Sequence, residues 1–289
     1  MNNFKPSDDS AQMKVSSHPR LSEFDKLVYP VVSRRSGGLS LGVNLNPDKK
    51  CSFRCVYCQV DRALPVPAVK FSTDQVKHEL EEWLNRLSES KWEYENHPLK
   101  DISIAGDGEP TSVGALPEVL NLLVDLKKHY KFDSYKLILF SNGYQIDRPD
   151  LSMPLANFFQ NGGEIWYKLD CWHQNSLKQI NRTRLAFDPL IQNLILMGKK
   201  HPVVIQSCLF RWAAETFNEE KYQSYIKLLD HILKAGTQIK LLQLYTLARS
   251  PAENQAQPWS DEEMDRLNTY IANQVNVKTE VYYTKGKQE

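Results

Sequence analysis

Three cysteines fall within eight residues of this sequence, at Cys51, Cys55 and Cys58 in the segment Asn46-Pro47-Asp48-Lys49-Lys50-Cys51-Ser52-Phe53-Arg54-Cys55-Val56-Tyr57-Cys58-Gln59. Thiolates at C-x3-C-x2-C spacing can wrap one side of an iron–sulfur cubane. Three protein ligands leave one iron open. An open metal position is a catalytic arrangement, whereas structural sites are closed. The competing readings are zinc and inert thiols. Zinc normally takes four ligands and no fourth lies close, since His78 is 20 residues beyond Cys58 and sits in a helical pattern. Chance clustering of buried thiols is a poor account of three cysteines in polar company. The other two, Cys171 and Cys208, read as small buried hydrophobes. A total of five argues against a disulfide framework.

A loop that holds a metal must be carried by rigid elements. Short β-branched or apolar runs predict strands at Leu41–Leu45, Ile102–Ala105, Lys136–Phe140, Ile165–Leu169, Val203–Phe210 and Lys240–Leu247. Helical patterns lie between them. Ser72 and Gln75 predict a capping box ahead of Val76, Leu80, Trp83, Leu84 and Leu87. Pro117 opens a helix carrying Val119, Leu120, Leu123 and Leu126. A less regular pattern surrounds Leu155–Phe159, and Asp188-Pro189 opens another helix. Asn218 caps the next, which Gly236 stops.

Strand–helix alternation repeated six times implies parallel strands and right-handed crossovers. Six units fall short of the eight that close a full barrel. The expected fold is therefore α/β, an open partial (βα)6 barrel rather than a flat doubly wound sheet. The cysteine loop follows the first of these strands, where sites gather in parallel α/β architectures. The expected organisation is a polar extension over 1–27, a core barrel over 28–250, and a linker with a C-terminal αβ extension over 251–289. In that extension Ser260 and Glu263 predict a second capping box, and Val277–Tyr283 an edge strand.

The net charge of +1 gives no global basic excess to demand a nucleic-acid or membrane partner. No run of about 18 apolar residues exists, and residues 1–20 lack the apolar middle of a signal peptide. A cytoplasmic location follows as the expectation.

The cysteine spacing, with Tyr57 before the last cysteine, resembles the signature of the radical S-adenosylmethionine superfamily. The resemblance implies a single [4Fe–4S] cluster whose open iron is chelated by S-adenosylmethionine. It also implies reductive cleavage of that cofactor to a 5′-deoxyadenosyl radical, which abstracts hydrogen from a substrate. Ala105-Gly106-Asp107-Gly108-Glu109-Pro110 looks like the family's glycine–glutamate motif, which binds the methionyl amino group. The glycines would let backbone carbonyls approach the ligand, and Glu109 would accept from an ammonium. Asp107 stands where the family often has a glycine. Ser141 and Asn142, in Phe140-Ser141-Asn142-Gly143, match positions that contact ribose or carboxylate. Lys168 and Asp170 end the fourth strand as candidates for substrate or cofactor contacts, and Gln206 and Ser207 would line the same chamber. A structural Lys–Asp pair at the barrel rim is the rival reading of the former.

A closer likeness covers roughly Tyr29 to Pro251. Ser33-Arg34-Arg35, Ser40-Leu41-Gly42-Val43-Asn44, Ile180-Asn181-Arg182 and Arg249-Ser250-Pro251 resemble the wyosine-synthase-like branch. Members of that branch that modify tRNA carry a second cluster on upstream cysteines, and this sequence has no cysteine before Cys51. The expected substrate is thus a small molecule or an RNA base, with a flavodoxin- or ferredoxin-type electron donor. Arg34, Arg35, Lys49, Lys50, Arg54 and Arg62 read either as a solvated rim or as residues that bind a phosphate-bearing or acidic substrate, bind a flavodoxin-type donor, or raise the cluster potential. A non-catalytic metal-binding or electron-transfer module is the rival from another class.

Overall fold

Alternation along each strand decides which side chains face the helices and which face inward. Ile102, Ile104, Leu137, Leu139, Ile165, Tyr167, Val203, Ile205, Leu242 and Leu244 join the main apolar core. Their neighbours Ser103, Phe140, Lys168, Cys208 and Tyr245 line an internal cavity. This period-two split is what a sheet curled around a chamber requires.

The computed structural model describes residues 26–66, 68–131, 135–212, 219–253 and 255–284. Most of the expected polar extension and the Asn218 cap lie outside the described residues. In chain order the elements are β1 (Val28–Ser33), β2 (Gly38–Val43), α1 (Thr73–Glu89), β3 (Glu93–Tyr94), β4 (His97–Ile104) and α2 (Leu116–Tyr130). There follow β5 (Lys136–Ser141), α3 (Ser152–Gln160), β6 (Gly163–Lys168), α4 (Gln174–Ser176) with a π-helix over Leu177–Asn181, and α5 (Phe187–Lys200). The chain continues through β7 (Val203–Arg211), α6 (Glu219–Lys234), β8 (Ile239–Thr246), β9 (Gln257–Pro258), α7 (Asp261–Gln274) and β10 (Thr279–Tyr282).

The main path through the sheet runs β1-β2-β4-β5-β6-β7-β8-β10, with β1 antiparallel and the rest parallel. The partial barrel expected from the alternation is present. The C-terminal αβ piece docks β10 on β8 as a further parallel edge strand. The sequence reading gave no strand to Val28–Ser33. Pro30 sits inside it, and proline is tolerated on an edge strand, which is where β1 lies.

A side chain bridges the two open edges of the sheet. Arg34, in the β1–β2 turn, donates to the carbonyls of Thr246 and Tyr283 at the far edge. The cavity is accordingly lined from both sides, by Val31–Arg35 and by Tyr245–Arg249.

Caps and apolar faces fix the helices. Ser72 Oγ accepts from Gln75 N at 3.4 Å, and the Gln75 amide donates onward to Glu79. Glu79, buried, in turn accepts from Leu27 N and Val28 N and so fastens α1 to the start of β1. In α2 the residues Leu116, Val119, Leu120, Leu123 and Val124 are buried on one face. Each such side chain stabilises the fold by about 2 kcal/mol, and Leu120→Ala would cost about 2–5 kcal/mol. Ser260 and Glu263 form the expected reciprocal capping box. Among the described residues no helix is long and apolar enough to cross a membrane.

Candidate metal and cofactor site

The loop after β2 presents Cys51, Cys55 and Cys58 to a cavity of about 370 Å³. Each sulfur accepts N–H groups: Cys51 from Phe53 N at 3.4 Å, Cys55 from Asn181 Nδ2 at 3.1 Å, and Cys58 from Val60 N and Arg62 Nη1, both at 3.4 Å. Such donors stabilise negative charge on sulfur, as a cluster-ligating thiolate requires. All five cysteines are free thiols. Burial pushes the Cys51 thiol up to about 12 and raises Cys55 too, so a bound cation would have to displace their protons. Among the described residues no three His, Cys, Asp or Glu side chains converge as they would on a single ion. A cubane takes each thiolate at a different iron and needs no such convergence. The donor set therefore fits an iron–sulfur cluster.

One turn, Gly106 to Gly108, presses against this loop and against Asn44 at its approach. A side chain at Gly108 would place its Cβ 1.9 Å from the Lys50 carbonyl, and one at Gly106 2.2 Å from Asn44 Oδ1. Only glycine allows that approach. Asn44 clamps the turn by donating to Asp107 Oδ2 at 2.9 Å and accepting from Asp107 N at 3.1 Å.

Glu109 is buried where the ends of β4 and β5 meet. Its Oε1 accepts from Ser141 Oγ (2.9 Å) and Thr111 N (3.2 Å), and its Oε2 from Asn142 N (2.8 Å). Thr111 Oγ1 lies 2.7 Å from Oε1 and also contacts the Tyr144 carbonyl, with one proton for the two acceptors. Burial lifts the Glu109 carboxyl above its ordinary value although these donors oppose it. Asn142 Nδ2 reaches Ser52 Oγ at 3.0 Å, which ties the β5 turn to the cysteine loop. The cysteine, glycine–glutamate and Ser141-Asn142 segments thus meet around one chamber.

Lys168 also lines the cavity, with its side chain a quarter exposed and Nζ 3.7 Å from Asp170 Oδ2. Nζ lies 4.8 Å from the Tyr57 ring centre, and the Tyr57 hydroxyl donates to Asp170. Burial works against charge on Lys168, but Asp170 and neighbouring groups outweigh it and hold the ammonium well above its ordinary value.

Asp170, Gln206 and Ser207 are not among the cavity-lining residues. Asp170 lies behind the wall, where it also accepts from Cys208 N at 3.0 Å. Gln206 donates to Gln243 at 2.6 Å across neighbouring strands. Ser207 Oγ donates to the Leu169 carbonyl, with the Tyr225 hydroxyl 2.7 Å away on the helical side.

Sequence reasoning missed Asn181 as a contributor. It sits at the end of the π-helix, beside Arg182 in the left-handed region, and π-turns recur at functional sites. The π-helix also accepts Arg54 N at the Asn181 carbonyl and Val56 N at the Ile180 carbonyl, which braces the cysteine loop from below. Asn44 and Ser52 were likewise without assigned roles, whereas Arg62, expected only as one of a basic set around the loop, reaches Cys58 Sγ and the Asp107 carbonyl.

No protein-family model matches the sequence. The chain is 26% identical over 261 residues to a protein of Brachyspira hyodysenteriae named GTPase Obg, covering 87% of this chain and 34% of that one. It is 30% identical over 171 residues to UPF0026 protein MJ1312 of Methanocaldococcus jannaschii, covering 57% and 47%. It is 34% identical over 96 residues to a putative glycyl-radical enzyme activating enzyme of the same organism, covering 33% and 29%. The chain therefore spans about a third to a half of the curated relatives it matches. The sequence holds no Gly-x4-Gly-Lys-Ser/Thr phosphate loop, so the GTPase name carries no chemistry to it. Among solved structures, TYW1 with a lysine–pyruvate adduct bound superposes with a TM-score of 0.50 at 16% identity, over 91% of this chain and 80% of that one.

A curled half-barrel with three cysteines after its first parallel strand is the fold of the radical S-adenosylmethionine proteins.

Proposed function

We propose that this chain is an enzyme that binds one [4Fe–4S] cluster on Cys51, Cys55 and Cys58 and uses S-adenosylmethionine to functionalise a C–H bond of a small molecule. The observation that carries the reading is the convergence of the three thiols, the Gly106–Glu109 turn and Ser141-Asn142 on one chamber. When bound, the cluster supplies an electron that splits the cofactor's carbon–sulfur bond and leaves a 5′-deoxyadenosyl group able to take hydrogen from substrate. The chain's own residues do the rest. Cys51, Cys55 and Cys58 hold iron, and Asn181 and Arg62 steady the charge on sulfur. Glu109, fixed by Thr111, Ser141 and Asn142, offers its carboxylate to the cofactor's ammonium. The curled sheet keeps water from the reacting atoms.

Carbonyl chemistry at Lys168 is a second reading, prompted by the lysine–pyruvate adduct in the TYW1 neighbour. The Asp170 contact weighs against it, because a lysine held as ammonium is a poor nucleophile. RNA-base modification is a third outcome to be tested.

The deciding experiment is anaerobic reconstitution with iron and sulfide, then reduction with S-adenosylmethionine present. The reading expects a brown protein that releases 5′-deoxyadenosine and methionine. Cys55→Ala should lose iron, whereas Glu109→Ala should keep the cluster and bind S-adenosylmethionine more weakly. A cluster that yields neither product, or binding of zinc alone, defeats the catalytic reading. Turnover of tRNA that weakens steeply with salt would select RNA as the substrate.

A further inference from the structure

We infer that the cavity carries an anion-binding subsite at Arg35, flanked by Arg34, and that the substrate is a small molecule bearing a carboxylate or a phosphate. This deepens the proposed function and rests on it for the chemistry, though not for the binding.

Arg35 lines the chamber with its guanidinium carbon 5.3, 5.7 and 5.0 Å from the ring centres of Phe140, Trp166 and Tyr245. Three aromatic faces hold the guanidinium plane and occupy none of its five N–H donors. Among the described residues, no hydrogen bond or ion pair reaches those donors. The nearest claim on its charge is Asp101, which lies within electrostatic reach. Asp101 accepts from Ser40 and makes no ion pair with Arg35, and burial lifts its carboxyl above the ordinary value.

Arg34 sits next in sequence and lines the same wall. It spends donors on the carbonyls of Thr246 and Tyr283, which have no net charge to offer. Burial and the neighbouring Arg35 pull it down to about 10, as expected where positive charge lacks a counter-ion.

Of the other charges in the chamber, Arg249 adds to the positive side and meets the neutral Gln59 Oε1 at 3.5 Å, and the rest have close polar partners. Lys168 has Asp170, and Arg62 faces Cys58 Sγ and backbone carbonyls. Glu109 accepts from Ser141, Asn142 and Thr111, and Asp107 from Asn44. The excess positive charge therefore gathers where the β1–β2 turn, with Arg34 and Arg35, faces Arg249. S-adenosylmethionine is itself a net cation, so binding it raises the potential further. In a cleft with low-dielectric walls such a field is focused on whatever enters beside it. An anion relieves that field, and a planar guanidinium fork suits a carboxylate or phosphate where a lone ammonium would not. A cavity of about 370 Å³ is of small-molecule size.

The test uses the protein without iron or S-adenosylmethionine. Radiolabelled inorganic phosphate and radiolabelled acetate are titrated separately by equilibrium dialysis, at ionic strength fixed with chloride. The inference expects saturable binding of at least one, weakened tenfold or more in Arg35→Gln and partly restored in Arg35→Lys. Phosphate alone would indicate a phosphoryl substrate, and acetate alone a carboxylate. Absence of saturable binding by either anion overturns the inference, as does equal binding in wild type and Arg35→Gln. Far-UV circular dichroism checks the fold of each variant. Should Arg35→Gln unfold, Arg34→Lys and anion-induced shifts of the wild-type arginine Nε–H signals carry the test instead, and signals that do not move overturn it. If the reconstituted protein forms no cluster or releases no 5′-deoxyadenosine, the enzyme reading fails while the anion titration still stands or falls on its own.

Discussion

Asn181 donates its side-chain N–H to Cys55 Sγ across 3.1 Å, from a π-helix 126 residues further along the chain. Its Oδ1 accepts from the Cys171 thiol at 2.9 Å, so a buried cysteine decides which way the amide points. Burial keeps that proton on sulfur by raising the Cys171 thiol well above its ordinary value. A donor to a ligating sulfur favours the reduced, more negative state of a cluster. Asn181→Leu should therefore lower the midpoint potential of the reconstituted cluster with its iron content kept. A hydrogen bond worth about 1 kcal/mol corresponds to roughly 40 mV for one electron. Redox titration followed by electron paramagnetic resonance reads this directly, and an unchanged potential would remove Asn181 from the account. Cys171→Val should move the potential the same way, by freeing the amide to turn.

Gly108→Ala tests whether the glycine turn and the cysteine loop are one unit. The added Cβ would meet the Lys50 carbonyl at 1.9 Å, so one of the two backbones must move. Overpacking of this kind costs about 1–3 kcal/mol. The expected result is a lower unfolding midpoint together with poorer iron incorporation. Normal iron loading in the variant would show that the cysteine loop assembles independently of the turn.

Glu109 makes a prediction with a definite sign. Its carboxyl is held above the ordinary value of 4.5 by burial, with its hydrogen bonds opposing. The folded protein then keeps this proton more tightly than the unfolded chain. Stability from the group is complete below about pH 4.5 and is lost as pH rises through the folded value. Glu109→Gln has no proton to lose, although it faces Asn142 N–H or Ser141 Oγ–H with a donor and should be less stable by about 1–3 kcal/mol. Its deficit against wild type should shrink as pH climbs from 4.5 towards 7. Urea unfolding midpoints across that range decide the matter, and a constant or growing deficit contradicts the assignment.

Much of this architecture was legible because it rests on local chemistry. The apolar runs that became β4 to β8, the Ser260–Glu263 box and the C-x3-C-x2-C loop are all signals contained within a few residues. The less legible features depend on partners far away. Nothing local in Ser207 says that its hydroxyl turns to Tyr225 rather than to the chamber, because strand parity near a register shift is fixed by neighbouring strands. The π-turn at Leu177–Asn181 departs from the 3.6-residue period, so a search for helical faces passes over it. Strand β1 was hidden by Pro30, which argues against a central strand and is silent about an edge.

The bond from Arg34 to the Tyr283 carbonyl joins residues 249 positions apart. During synthesis Arg34 and the cysteine loop leave the ribosome long before β10 and the Tyr283 carbonyl that follows it. A nascent chain stalled ahead of β10 would display Cys51, Cys55 and Cys58 on a sheet without its last edge strand. Completion of the chamber wall is thus among the last events of folding, and any ligand offered earlier would meet a solvent-washed loop instead of a walled pocket.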